Sequence, residues 1–503
     1  MTKSIVSFVF LLLLLATTPL VAQRAGDVVP GEIIIQMRPA AETSDILSEF
    51  SAAGLKSERL LSRRMNIWLI SYDTKKANGD DLLFALRSHP LVSIVQYNHV
   101  MDLRDDKNYS ERNPEAIENL TLDSRGTTPN DPRFNEQWAL NNTGQSGGTP
   151  DADIDAPEAW DLAKGGLTAL GDTIVVAVID GGAQISHPDL NFWVNRFEIP
   201  NNSIDDDLNG YVDDYLGWNA YSNNGTPDGD SHGTHVSGIV AARGNNGAGV
   251  SGVNWNTKVM IISGSSSSEA TVVAAYAFAL EHRATYNETN GAKGAFVVAT
   301  NSSFGVDYGQ PANYPIWCAM YDSLGKYGIL SCGATANLGI NVDVQGDIPT
   351  ACPSNWLVSV TNTTSSDARN SGAGYGLTTI DLGAPGSSIL STDQTNTYTS
   401  KTGTSMATPT VAGAIALMIS GANANLIQAY KTNPGPTALL FKQYLLEATD
   451  PVAALQGQTV SGGRLNVFKA LLAVGTPPDT VAPTAINNLA VVDPTSESVI
   501  LTW

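Results

Sequence analysis

The chain has 503 residues, 42% of them hydrophobic and 15% charged, with 28 basic against 49 acidic side chains and a net charge of −21. That length allows about three domains and at least one large core, and so acidic a surface argues against nucleic acid or an anionic membrane as partner while remaining compatible with cation binding. The acidity is uneven: residues 23–103 carry 9 basic and 10 acidic side chains, so the excess belongs to residues 104–503.

In chain order, Lys3 precedes an apolar run that reaches Ala16, broken only by Ser7, and Leu20-Val21-Ala22-Gln23 closes it. This fits a secretory signal over 1–22, too short to span a bilayer, with export to the medium or the cell surface as its consequence. Strand patterns at 29–37, 66–71 and 92–99 and helical patterns at 43–53 and 79–88 then predict a small α+β domain over 26–103, of β-α-β-β-α-β-like order. Residues 104–128 are polar and aperiodic, an exposed linker suited to cleavage. Apolar runs recur at 173–179, 258–262, 295–299, 328–332 and 356–360, separated by helical stretches. They predict an α/β unit over 129–474, a parallel sheet in three layers with helices on both faces, in which sites gather at the carboxyl ends of strands. A proline-rich linker occupies 475–484, and 485–503 reads as two short strands ending in Trp503.

Three cysteines are few for an exported scaffold and leave one thiol over. Cys332 lies in the apolar run Gly328–Gly333 and suits a buried free thiol, which leaves Cys318 and Cys352 as the expected pair.

The chemistry concentrates in three motifs. Asp180 ends the apolar run 173–179, His232 opens His232-Gly-Thr-His-Val-Ser-Gly238, and Ser405 stands in Gly403-Thr-Ser-Met-Ala-Thr-Pro409 before a long buried-helix pattern. A hydroxyl at the mouth of a helix sits in the positive end of its dipole, which favours the charge that develops as it attacks a carbonyl. Asp, His, Ser is one of the three known chain orders of the same catalytic geometry. At these positions the sequence resembles the subtilisin-like serine peptidases, the subtilases, over about 129 to 474.

The resemblance implies a subtilisin-like fold and a serine endopeptidase acting on protein or peptide substrates through an acyl-enzyme, with no cofactor for catalysis. It implies Asp180, His232 and Ser405 as the triad, Asn337 with the backbone N–H of Ser405 as oxyanion donors, and Ser303-Phe304-Gly305 as the substrate-lining strand. Residues 26–103 are then an inhibitory propeptide, the chain is a zymogen that processes itself between about Val100 and Pro129, and the mature enzyme is a monomer. The closing segment resembles about a quarter of a fibronectin type III module, which implies further chain beyond Trp503. The loop 205–214 alternates oxygen ligands around a glycine, and Asp205, Asp207, Asn209 and Asp213 are the expected ligands of a structural calcium ion.

Two features weigh on this reading. Gly181 and Gly182 stand where the family usually has a serine or threonine after the aspartate, which motivates an alternative: an inactive relative that kept the fold as a surface binding protein. His232 and His235 lie three apart, without the glutamate and four-residue spacing of a zinc helix, so His235 is expected as a core histidine and His187 as structural. A lipase of the α/β-hydrolase class fails at Ala407, where its Gly-x-Ser-x-Gly elbow needs glycine.

Overall fold

No position of Ile174–Asp180 is exposed, and its side chains divide by parity: Ile174, Val176 and Val178 enter one core and Val175, Ala177 and Ile179 another. An unbroken apolar run has this use only in a strand covered on both faces. The computed structural model describes residues 27–102, 104 and 126–475, with the backbone of 490–492 and 500–502. The expected leader at 1–22, most of the linker 104–128, the proline-rich linker and most of 485–503 lie outside the described residues.

The N-terminal module comprises β1 (Val28–Met37), α1 (Thr43–Glu49), β2 (Lys56–Ser62), β3 (Ile67–Ser71), α2 (Gly79–Arg87) and β4 (Val92–Met101). Its strands pair antiparallel in the order β2-β3-β1-β4, and Ile33, Ile35, Leu82, Leu86 and Val95 belong to a core of its own. The helix expected at 43–53 breaks at Phe50, and a short turn over Ser51–Ala53 closes on Gly54 in the left-handed region at φ 71°. The sequence pattern missed β2 because Lys56-Ser-Glu-Arg is polar; its Arg59 donates to Ala220 O at 2.8 Å, across the interface with the larger unit.

The larger unit runs through α3 (Ala156–Leu162), β5 (Ile174–Asp180), β6 (Trp218–Asn219), α4 (Ser231–Ala241), β7 (Lys258–Ser263), β8 (Ser267–Ser268) and α5 (Glu269–Glu288). It continues with β9 (Phe296–Ser302), β10 (Val306–Asp307), α6 (Pro315–Lys326), β11 (Leu330–Ala334), α7 (Val342–Gln345), β12 (Asp347–Ile348), β13 (Leu357–Thr363) and β14 (Leu382–Pro385). The hairpin of β15 (Ile389–Asp393) and β16 (Thr397–Lys401) leads into α8 (Thr404–Gly421), α9 (Ala424–Thr432), α10 (Pro434–Glu447), β17 (Asp450–Pro451), β18 (Gly463–Arg464) and α11 (Val467–Gly475). The backbones of β19 (Ala490–Val492) and β20 (Ile500–Thr502) pair antiparallel.

Nine strands form one sheet in the order β17-β18-β14-β13-β11-β9-β5-β7-β6, parallel except for the β17–β18 pair. Residues of α3, α4, α8, α9, α10 and α11 enter the core on one face, and residues of α5 and α6 the core on the other, which makes the three expected layers. The N-terminal module lays the second face of its sheet on this last layer: Ile34, Leu61, Ile67 and Met101 join the core that holds Val273 and Trp317. β4 also pairs with β8, Val100 opposite Ser268 and Met101 opposite Ser267. Among the described residues one helix, α8, is long and apolar enough to cross a membrane, and 89% of it is buried inside the protein.

Candidate active site

The parallel sheet brings three chain-distant motifs to the carboxyl ends of its strands. Asp180 is the last residue of β5 and only 2% exposed, while His232 is the second residue of α4, whose start is capped by Asp230 accepting from Gly233 N at 2.8 Å. His232 Nδ1 lies 2.9 Å from both carboxylate oxygens of Asp180. Ser405 is the second residue of α8, and its Oγ donates to Ser303 O at 3.3 Å.

The glycines after Asp180 have a steric reason. A Cβ on Gly182, whose φ is +134°, would stand 2.0 Å from Asp228 O, and one on Gly181 would press on the Asp230 carboxylate at 3.0 Å. Asp180 instead accepts from the N–H of Gly181 at 2.8 Å. A half-buried N-cap carboxylate thus occupies the space that a side chain after Asp180 would fill, and partial burial, then the nearness of Asp180, raises the pKa of Asp230.

Asn337 lies just after β11, and its Oδ1 accepts from Thr404 N at 2.9 Å and Thr404 Oγ1 at 3.0 Å. These bonds fix the amide beside the start of α8 and turn its NH2 end the other way. Ser303, Phe304 and Gly305 continue from β9; Ser303 Oγ donates to Ser405 O at 2.8 Å, and Phe304 is 1% exposed. A cleft of about 500 Å³ is lined by Asp180, His232, Ser303, Phe304 and Lys401, and also by Arg104, which sequence pattern alone assigns to an exposed linker.

The other histidines point elsewhere. His235 is fully buried with Nε2 3.0 Å from the carbonyls of Ile389 and Thr399, and burial pulls its pKa down to about 3. His187 is buried near Thr397 O and the Tyr398 ring, and burial lowers its pKa too. Neither shares ligands with His232.

The four expected calcium ligands do not converge as a set. Asp213 spends its carboxylate on the N–H groups of Asn202 and Ser203, at 2.9 and 3.0 Å, and Asn209 donates its amide to Asp214 at 2.9 Å. Asp205 and Asp207 instead meet Glu198, with one oxygen from each within 4.8 Å of the others. Glu198 is 4% exposed, its Oε2 is buried without a hydrogen-bond partner, and burial raises its pKa to about 6. An orphaned buried carboxylate oxygen beside two more carboxylates suits a hard, oxygen-seeking cation. Spacing gave no sign of Glu198, which lies seven residues before the loop.

Cys318 in α6 is bonded to Cys352, and Cys332 is a buried free thiol in β11 whose pKa burial pushes up.

Known proteins share this architecture. The subtilase family model matches residues 171–462, more than half of the chain. Thermitase of Thermoactinomyces vulgaris is 31% identical over 349 residues, which is 68% of this chain and 99% of thermitase. An extracellular protease of Xanthomonas campestris pv. campestris is 30% identical over 422 residues, 80% of this chain but 64% of that protein. Among solved structures, fervidolysin from Fervidobacterium pennivorans, a keratinolytic enzyme related to subtilisin, has a TM-score of 0.61 at 19% identity over 90% of this chain and 62% of that one.

Proposed function

The chain belongs to the subtilase family and is a serine-type endopeptidase, and from that premise we propose that it cuts proteins with Ser405 as nucleophile, His232 as base and Asp180 as the group that orients the imidazole. The observation that carries this reading is the contact of His232 Nδ1 with both oxygens of a buried Asp180, at the end of a cleft that Ser303 shares. With Nδ1–H donated to the carboxylate, Nε2 is the nitrogen that takes the hydroxyl proton of Ser405 and returns it to the leaving amine. Asn337 Nδ2 and the N–H of Ser405 stabilise the oxyanion, the latter helped by the N-terminal end of the α8 dipole. The cleavage is one of peptide bonds, without a cofactor in the chemical step.

The finer reading has the chain exported by its leader, held inactive by residues 26–103, and released when Ser405 cuts its own linker. Support for the inhibitory role is the docking of the N-terminal sheet on α5 and α6 and the pairing of β4 with β8, which leads the chain toward the cleft. Where calcium binds, Glu198, Asp205 and Asp207 would hold it, and it would brace the loop before β6.

A fluorophosphonate probe tests the triad: it labels Ser405 in the processed protein and leaves Ser405→Ala unlabelled, whereas an inactive binding protein would not react. Ser405→Ala also accumulates as uncut proprotein. Identical processing of that variant in a purified, protease-free system would instead assign the cut to a separate protease.

A further inference from the structure

Arg104 stands a few residues after the N-terminal module in a stretch that is otherwise polar, yet its side chain is only 4% exposed. It lines the same cleft as Asp180, His232 and Ser303. Its guanidinium is enclosed: Nη1 donates to Ala334 O at 2.8 Å, Nη2 donates to Asp347 Oδ1 and to Ile348 O at 3.1 Å, and Nε stands 2.9 Å from Asp307 Oδ1. A planar fork of donors meets two carboxylates and two carbonyls, an arrangement matched to arginine rather than to the single ammonium of lysine.

The acids make little sense without a cation. Asp347 is fully buried, and β12 places it directly opposite Asp307 on β10. Like charges facing each other across a strand pair repel, and a buried carboxylate is costly unless it is paired. Asp347 Oδ2 is held by Ala336 N and Thr350 Oγ1, which leaves Oδ1 for the guanidinium. Burial raises the pKa of Asp347 to about 7, a pull that the arginine charge opposes.

The pocket also lies in the right place. One wall is Gly305, where a Cβ would stand 2.6 Å from Arg104 Nη2 and 2.0 Å from Ile348 O, so only glycine keeps this space open. The other wall is the 334–337 segment. These two segments flank the nucleophile, since Ser303 O accepts from Ser405 Oγ while Thr335 O and Asn337 Oδ1 accept from Thr404. The cleft that Arg104 shares with Asp180, His232 and Ser303 puts this residue beside the groups read as catalytic.

We infer that this enzyme cleaves on the carboxyl side of arginine, with Asp347 and Asp307 as its specificity determinants, and that Arg104 marks the bond it cuts in its own chain. The inference rests on the reading of Ser405 as nucleophile. Ser405 Oγ bonds to the carbonyl carbon of Arg104, the bond to the nitrogen of residue 105 breaks, and the hydroxyl proton passes through His232 to that leaving amine. Water then hydrolyses the ester, which leaves a carboxylate on Arg104 and restores the serine hydroxyl.

The test uses the processed full-length protein and fluorogenic tetrapeptides that differ only in the residue before the scissile bond. The expected kcat/KM for arginine exceeds that for leucine by about a hundredfold or more and that for lysine by about tenfold, because a site built for a charged fork is left with unpaired groups by any other side chain. Asp347→Asn lowers the arginine-to-leucine ratio by about thirtyfold or more, and Asp307→Asn by less. That ratio does not depend on how much of a variant folds, and the wild-type comparison stands alone if neither variant can be made. In the proprotein, Arg104→Leu slows appearance of the new N-terminus at residue 105 by about a hundredfold. Leucine or phenylalanine substrates cut as fast as arginine ones, by an enzyme whose Ser405 takes the fluorophosphonate, would overturn the specificity and leave the peptidase reading standing. An unlabelled Ser405 would overturn both.

Discussion

If residues 26–103 inhibit the enzyme by docking on it, Arg64 is one of the polar contacts that hold them there, beside the buried pairing of His99 and Gln96 with Glu269. From the turn between β2 and β3 its guanidinium grips Glu281 on α5 through Nε and Nη2, at 3.0 and 2.9 Å, and Glu288 through Nη1 and Nη2, at 2.6 and 2.9 Å. The exposures decide the magnitude. The Glu281 side chain is 10% exposed, so truncating Arg64 to alanine strands a nearly buried carboxylate, at about 2 to 3 kcal/mol; Glu288 is 52% exposed and adds at most about 1. A total of about 3 kcal/mol is a weakening of roughly 150-fold. The assay titrates mature enzyme with the 26–103 fragment, whose own core of Ile33, Ile35, Leu86 and Val95 does not include Arg64, and reads Ki from residual activity on a fluorogenic peptide. Glu281→Gln in the enzyme should recover much of the loss in a double-mutant cycle, since it removes the stranded charge. A Ki for Arg64→Ala within threefold of wild type would show that this face does not hold the fragment to the enzyme.

Asn337→Ala lowers kcat by roughly a hundredfold with KM little changed, since its amide acts on the oxyanion rather than the ground state; unaltered steady-state kinetics would remove it from the site. Chelator lowers the melting temperature, and Glu198→Gln with Asp205→Ala abolishes that sensitivity; at a hundred times Kd, calcium adds about 2.7 kcal/mol, and an unmoved wild-type melting curve would leave the three carboxylates without a metal. His235 binds its proton at about pH 3 when folded and about 6.5 when unfolded, so between these values the unfolded state holds more protons and stability falls as pH falls. This one group accounts for about 2 kcal/mol between pH 7 and pH 5 in urea titrations, and a slope unchanged in His235→Gln would refute the assignment.

Much of the scaffold was legible because its signals are local. Runs such as Ile174–Ile179 and Phe296–Ala299 are apolar throughout because both faces are covered, and the stretches around His232 and Ser405 carry their helix starts within a few residues. The resemblance of the three motifs to those of the subtilases then paired Asp180 with His232. What escaped was set by partners far away in sequence. β2 is polar along the chain and becomes a strand because Arg59 and Leu61 find the larger unit on one side and β3 on the other. Glu198 meets Asp205 and Asp207 through a turn that no ligand spacing marks. Gly181 and Gly182 looked like a defect until Asp228 and Asp230 proved to fill the space beside them. Arg104 and Asp347 stand 243 positions apart, one in an aperiodic stretch and the other in a two-residue strand, and neither is unusual for its neighbours. Periodicity and motif report the free energy of short segments, which the sequence holds by itself; a charge becomes a pocket only when the fold removes water from around it and sets its counter-charge opposite, and that is decided by tertiary structure alone.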